Sequence, residues 1–214
     1  MHKQKRSKDS VTASGIAEYI RFNCCPRFFK LRLEDDEETE SRKWPTFKPI
    51  SPLLYGVGKA LEEKKVAELK AKAAEYHDFN KYVENEQASL SNLREVIEKQ
   101  ISSQESVDGK PVLLYQVPMK GKIGVWKVKG IADLIAIWRC REGKMKVRIF
   151  ELKSSWLEQT AHRIQVAIYV LLLSKELERL TTKIEIEGGV INKETNLENL
   201  TPEALPKFKL SPLI

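Results

Sequence analysis

The chain has little that would hold it in a membrane or lock it with disulfides. Its longest apolar run, Val166 to Leu173, is far too short to span a bilayer. The basic opening, Met1 to Lys8, is followed by no apolar stretch and does not read as a secretory leader. Cysteine is scarce: Cys24, Cys25 and Cys140 are odd in number and two are adjacent, so no disulfide framework is expected and a reducing, cytoplasmic setting is. There is no internal repeat and no low-complexity tract. What is present is a globular composition, 42% hydrophobic and 31% charged, over 214 residues, enough to bury a real core. Lys and Arg number 37 against 30 Asp and Glu, a formal charge of +7. That excess favours a polyanionic partner without naming one, and no membrane partner is expected.

Residues 1–13 read as a flexible basic tail and 14–214 as one domain. Ser14 is placed to cap a short helix through Ile16, Ala17, Tyr19 and Ile20. Cys25-Pro26 leads into an apolar and basic stretch ending at Leu33. Glu34 to Glu40, followed by Pro45, Pro49 and Pro52, reads as a solvated loop. Helical patterns cover about Lys59 to Tyr76 and Ser89 to Ser102. The character changes at Asp108-Gly109. Val112–Val117, Gly124–Lys129, Ile131–Trp138 and Lys146–Lys153 read as short strands, Leu157–Leu177 as a long helix apolar nearly all round, and Lys183–Ile191 as a last strand. This order predicts an α/β fold: a mixed central sheet flanked by helices, with a helical part at about 14–105 and the sheet and its helix at about 108–191.

The strands around Glu142-Gly143 carry the chemistry. A hairpin centred on residue 142 sets Asp133 opposite Glu151, with Cβ atoms about 4.5–5.5 Å apart. Lys153, two residues on, projects from the same face. Facing carboxylates repel, and their neighbours Ile131, Ala132, Leu134, Ile135, Ile149, Phe150 and Leu152 are core types, among which charge needs a partner. A hard divalent cation, Mg²⁺ or Mn²⁺, held between the two carboxylates answers both problems. Lys153 then stands ready to orient a water or offset phosphate charge. The plainer reading of the same residues is an ion cluster on a wetted sheet face; the apolar flanks argue against it. Glu62, just after the glycines of Tyr55-Gly-Val-Gly58, is the candidate third ligand. Glu158, His162, Gln165 and Tyr169 form a polar stripe on the long helix, facing either this site or backbone groups. Lys120, Lys122, Lys127 and Lys129, with Trp126 among them, either line a strand-binding groove or decorate a solvated edge hairpin.

Gly130-Ile-Ala-Asp133-Leu, Phe150-Glu-Leu-Lys153-Ser-Ser and Gln165-Val-Ala-Ile-Tyr169, in this order and spacing, resemble the PD-(D/E)xK nuclease superfamily, in its RecB-like, CRISPR-associated exonuclease branch. Ser14 to Phe29, with Tyr19 and Cys25-Pro26, is similar to the N-terminal segment of that branch, so the resemblance spans about 11–191. It implies a restriction-endonuclease-like core and a Mg²⁺- or Mn²⁺-dependent deoxyribonuclease, a phosphodiester hydrolase acting on single-stranded DNA or DNA ends, exonucleolytic and open to endonucleolytic cutting. In it Asp133 and Glu151 would bind metal, with Glu62 beside them, and Lys153 would be the catalytic lysine. Gln165 and Tyr169 would support the site and contact DNA. Homo-oligomers or DNA-processing protein partners would fit the same branch. Iron–sulfur members use one N-terminal and three C-terminal cysteines; the last third of this chain has none, so no cluster is expected. The alternative is a catalytically inactive member of the fold that binds nucleic acid or protein, against which the intact Asp133, Glu151 and Lys153 argue.

Overall fold

A computed structural model describes residues 10–34, 52–82, 86–102, 109–140, 144–155, 159–178, 180 and 184–208. The elements run β1 (Ser10–Thr12), α1 (Ala13–Arg21), α2 (Pro26–Glu34), α3 (Pro52–Lys72), β2 (Glu75–Asp78), a 3₁₀ turn (Asn80–Tyr82), α4 (Glu86–Ser102), β3 (Val112–Ile123), β4 (Trp126–Arg139), β5 (Met145–Leu152), α5 (Thr160–Leu177) and β6 (Ile184–Ile191). The fold is α/β, a mixed six-stranded sheet flanked by helices, consistent with the expected restriction-endonuclease-like core. The strand order is β2-β3-β4-β5-β6, with β1 joining β4 off that path. The β3–β4 and β4–β5 pairs are antiparallel; β1–β4, β2–β3 and β5–β6 are parallel.

Two apolar layers cover the sheet. On one face Ala13 of α1, Leu93 and Ile97 of α4 and Val166, Leu172 and Leu173 of α5 pack with Val112, Val128, Ile135 and Val147. Helix α5 lies between the sheet and α1, which is why its sequence is apolar nearly all round. On the other face Leu69 of α3 and Leu197, Leu200 and Leu205 of the C-terminal segment meet Leu113, Leu134, Trp138 and Phe150. A buried ion pair ties that segment down: Arg148 donates to Glu187, its direct partner across the β5–β6 ladder, and to the Leu205 carbonyl at 3.0 Å.

Several expectations need correction. The cap of α1 is Thr12, whose hydroxyl accepts the Gly15 N–H at 3.0 Å; Ser14 is already inside the helix. Ser10–Thr12 is not tail but a strand, paired with Lys127–Lys129; residues 1–9 lie outside the described residues. Tyr76 belongs not to a helix but to β2, which pairs with β3 once α3 has ended at Lys72. Gly124–Lys129 and Ile131–Trp138 are one strand, because Gly130 keeps its place in the ladder opposite Met119. Pro118 is tolerated inside β3 because β2 reaches only to Tyr115, leaving that edge without a ladder to lose. The acidic Asp35–Glu40 loop, Pro45 and Pro49, Asp108, the Glu142-Gly143 turn, Leu157 and Glu158 lie outside the described residues.

One arrangement matters most for function. The edge of β4 that faces β5 is shared between two short partners. β1 covers it up to Lys129, and the β5 ladder begins only at Leu134. From Gly130 to Asp133 neither strand pairs with that edge, and the candidate site lies there.

Candidate metal centre in the gap of β4

The β4–β5 register is the one expected. Every pair from Arg139↔Met145 to Leu134↔Phe150 is centred on residue 142, and one further step brings Asp133 opposite Glu151. The ladder stops before that step. In its place the Asp133 carboxylate itself accepts the Leu152 N–H through Oδ2, at 2.8 Å. Glu151 is 2% exposed, and its Oε1 is gripped twice, by Lys153 Nζ at 2.5 Å and by the Gln165 amide at 2.8 Å. Its other oxygen, Oε2, is buried with no hydrogen-bond partner. A carboxylate oxygen left in that state is costly unless something positive meets it.

The electrostatics agree. Burial, with Glu62 nearby, pushes Asp133 up to about 6, despite the Leu152 N–H and Lys153. Burial and then the Asp133 charge push Glu151 up to about 7. For Lys153, burial pulls the ammonium down, but Glu151, Asp133 and Glu62 outweigh it and hold the group above its ordinary value. One lysine thus stands against the buried Glu151, the half-buried Asp133 and a third carboxylate nearby, a deficit of positive charge that a divalent cation would fill.

Helix α5 closes the gap. Tyr169, 2% exposed, receives a hydrogen bond from the Ile131 backbone inside the gap, and the Gln165 amide reaches its hydroxyl at 3.5 Å. Burial and the Glu151 charge hold the phenol well above its ordinary range, so Tyr169 is neutral. His162 is engaged in the helix cap, where its Nδ1 accepts the Gln159 N–H at 3.2 Å.

Glu62 sits on α3, on a cleft of about 930 Å³ that Tyr115 and Lys153 also line. The Tyr115 hydroxyl donates to Glu62 Oε1 at 3.2 Å; burial and then the Glu62 charge push that phenol up to about 12. Among the described residues no three His, Cys, Asp or Glu side chains converge into a complete metal cage. The candidate donor set is therefore the pair Asp133 and Glu151, with Glu62 near enough for its charge to act on Asp133 and Lys153, and with Lys153 opening onto the cleft beside Glu62. Such a set suits Mg²⁺ or Mn²⁺, which keep several waters.

The lysines stand apart from this centre, on the far arm of the β3–β4 hairpin. Lys120 faces Lys129 and Lys122 faces Lys127 in direct cross-strand register, around a cavity of about 440 Å³. Gly121 abuts Leu172 of α5 and Val128 is buried, so the four lysines project from the opposite face of the hairpin. Alternation puts Trp126, 43% exposed, on the Val128 side, so it is not among the lysines as the sequence pattern had it.

Two contributors had no sequence signal pointing to the site. Tyr115 holds Glu62. Gln116 lies in β3 at the position opposite Asp133 and donates to Asp133 Oδ1 at 3.4 Å. Both read in sequence as ordinary strand residues.

No protein-family model matches the chain, and no curated protein matches it. Among solved structures, the crystal structure of SSO0001 aligns over 97% of this chain and 68% of its own at 15% identity, with a TM-score of 0.40. So remote a likeness assigns no activity, and the functional reading rests on the geometry of the gap.

Proposed function

We propose that this chain is a metal-dependent DNA nuclease that hydrolyses phosphodiester bonds in single-stranded DNA or at DNA ends. The observation that carries the reading is Glu151 Oε2, buried and unpartnered close to a second, half-buried carboxylate, Asp133. Asp133 and Glu151 would hold Mg²⁺ or Mn²⁺, with Glu62, whose charge acts on Asp133, as the candidate third ligand. The ion, when bound, supplies Lewis-acid activation of water and neutralises charge on the phosphorus centre.

The side chains divide the remaining work. Lys153 and Gln165 both take Glu151 Oε1, which leaves Oε2 as the oxygen free for metal. Lys153 stays protonated against its carboxylates, so it serves as a fixed cation that orients water and opposes phosphate charge. Tyr169, neutral and packed in the gap, braces Gln165. The paired lysines supply phosphate contacts from their face of the hairpin, and Trp126, exposed on the other face, is not part of that array. No helix among the described residues is long and apolar enough to cross a membrane.

The test is digestion of end-labelled linear and circular single-stranded DNA with Mg²⁺, Mn²⁺ or EDTA, for wild type, Asp133→Ala and Lys153→Ala. Metal-dependent cutting by wild type, lost in both folded variants, is the expected result; cutting of the circle would add endonucleolytic capacity. DNA bound but uncut with either metal would overturn the nuclease reading in favour of a protein that only binds.

A further inference from the structure

Side chains on a strand alternate between faces, and β3 and β4 both lose that alternation at one level of the sheet. On β3, Val112 and Leu114 join the α5-side core and so do Val117 and Met119, although the step from 114 to 117 is odd. On β4, Val128 and Ala132 join that core and so do Ile135 and Ile137. Between them Leu113 points to the α3-side core on β3, and Leu134 and Ala136 do so on β4. The ladder itself keeps register through the slip: Tyr115 pairs with Leu134 and Val117 with Ala132, and the one pair missing between them is Gln116 with Asp133. An inserted residue would shift the register; here none is inserted, so a local backbone rotation is the cause.

Gln116 supplies that rotation. Its φ is 52°, in the left-handed region that a non-glycine residue rarely enters and a strand never requires. We infer that Gln116 is a positioning residue: its left-handed backbone breaks the β3–β4 ladder opposite Asp133 and turns that carboxylate across the sheet edge toward Leu152. Without the break, Asp133 would continue the regular alternation of β4, and its carboxylate would point to one core layer or the other. With it, Oδ2 takes the N–H of Leu152 on the neighbouring strand, close enough to Glu151 for the two charges to act on each other. The Gln116 amide adds little, since 3.4 Å is long for a hydrogen bond. Strain held at such a position is expected where it aims a functional group.

The inference deepens the nuclease reading, on which the role of Asp133 as a metal ligand rests, and its test begins without metal. The Leu152 amide is protected by a side chain, so its hydrogen exchange reports whether Asp133 is still aimed. Exchange at Leu152, with Ile149 and Phe150 as internal references, would be followed by NMR in metal-free wild type, Gln116→Gly, Gln116→Asn, Gln116→Ala and Gln116→Val. Gly and Asn accept the left-handed region, Ala resists it, and a β-branched Val resists it most. The expected order of protection is therefore wild type, Gly and Asn alike, then Ala, then Val, with about tenfold faster exchange at Leu152 in Val than in Gly. Mn²⁺ calorimetry should follow the same order, with affinity falling about 10–100-fold in Val and little in Gly. If Gln116→Val does not fold, the Gly–Ala comparison decides.

Leu152 protected equally in Gly, Ala and Val would overturn the inference, as would Gly losing protection as fully as Val, which would give the role to the amide. A wild type that binds no Mn²⁺ would sink the nuclease reading, while the exchange order would still judge Gln116.

Discussion

The hydroxyl of Tyr169 lies 2.6 Å from the point where a Cβ on residue 130 would stand, so Gly130 and Tyr169 share one volume. The glycine is there because the tyrosine must enter the gap of β4 to meet the Ile131 backbone and brace Gln165. Gly130→Ala is therefore expected to expel the phenol from the gap and to cost about 1–3 kcal/mol through overpacking. Thermal denaturation reads the cost. Nuclease activity should fall further than stability does, because Gln165 and through it Glu151 lose their support. Adding Tyr169→Phe should recover part of the stability and none of the activity, since the ring edge is still 2.9 Å from the new methyl.

The two carboxylates make metal-free stability depend on pH. Asp133 and Glu151 have folded values of about 6 and about 7, raised by burial above the ordinary carboxylate values. Between about pH 4 and pH 7 the folded state holds more protons than the unfolded one, so the contribution of this pair to stability falls as pH rises. Asp133→Asn removes one of the two charges. In EDTA, its melting temperature relative to wild type should climb between pH 4.5 and pH 7.5 by about 2–4 °C for each kcal/mol relieved. Added Mn²⁺ should reverse the sign at pH 7.5 by stabilising only wild type. A difference that stays flat across this range would mean the carboxylates are not buried together as described.

Arg148 and Glu187 give a prediction independent of the site. Both are buried, Glu187 at 7% exposure, and Arg148 stacks between Trp138 and Phe150. Arg148→Met leaves Glu187 uncompensated and should cost about 3–5 kcal/mol, whereas Arg148→Met with Glu187→Leu should restore most of it. Urea unfolding of the two variants distinguishes them. Because Arg148 also holds the Leu205 carbonyl, the single variant should loosen the 192–208 segment first, visible as faster hydrogen exchange there.

On the proposed binding of DNA, the paired lysines should set its salt dependence. Lys122→Ala with Lys127→Ala removes one cross-strand pair and about two phosphate contacts, lowering the magnitude of the log–log salt slope by about 1.4–1.8. The loss of affinity should be the same for unrelated sequences, since phosphate contacts carry no base information. Fluorescence anisotropy over a salt series measures both. An unchanged slope would reduce the array to solvated surface charge.

Much of the centre was legible because strand periodicity and hairpin symmetry are simple. The register about residue 142, the shared side of Glu151 and Lys153, and the i, i+4 pairing of Gln165 with Tyr169 all follow from counting. The elements that escaped are those whose cause lies outside their own segment. β1 is three residues long and exists only because β4 offers an open edge. β2 continues an alanine-rich helical pattern and becomes a strand by pairing with β3. The rotation at Gln116 leaves no mark in composition, since glutamine is neither a turn former nor a glycine. Gly130 looked like a strand break because the tyrosine that needs it comes from α5, much later in the chain.

The parallel pairing of Ser10 with Lys127 also bears on how the chain folds. The β4–β5 hairpin is local and can form early, but β1 must close a loop longer than half of the chain, from Ser10 to Lys127, to reach its edge. Loop closure of that span is slow compared with hairpin formation. The gap is bounded by β1 on one side and β5 on the other, so one wall is expected to be in place well before its opposite. Closure of the gap on its Gly130 side should then arrive as a late kinetic phase, governed by docking of the N-terminal strand rather than by formation of the β4–β5 hairpin.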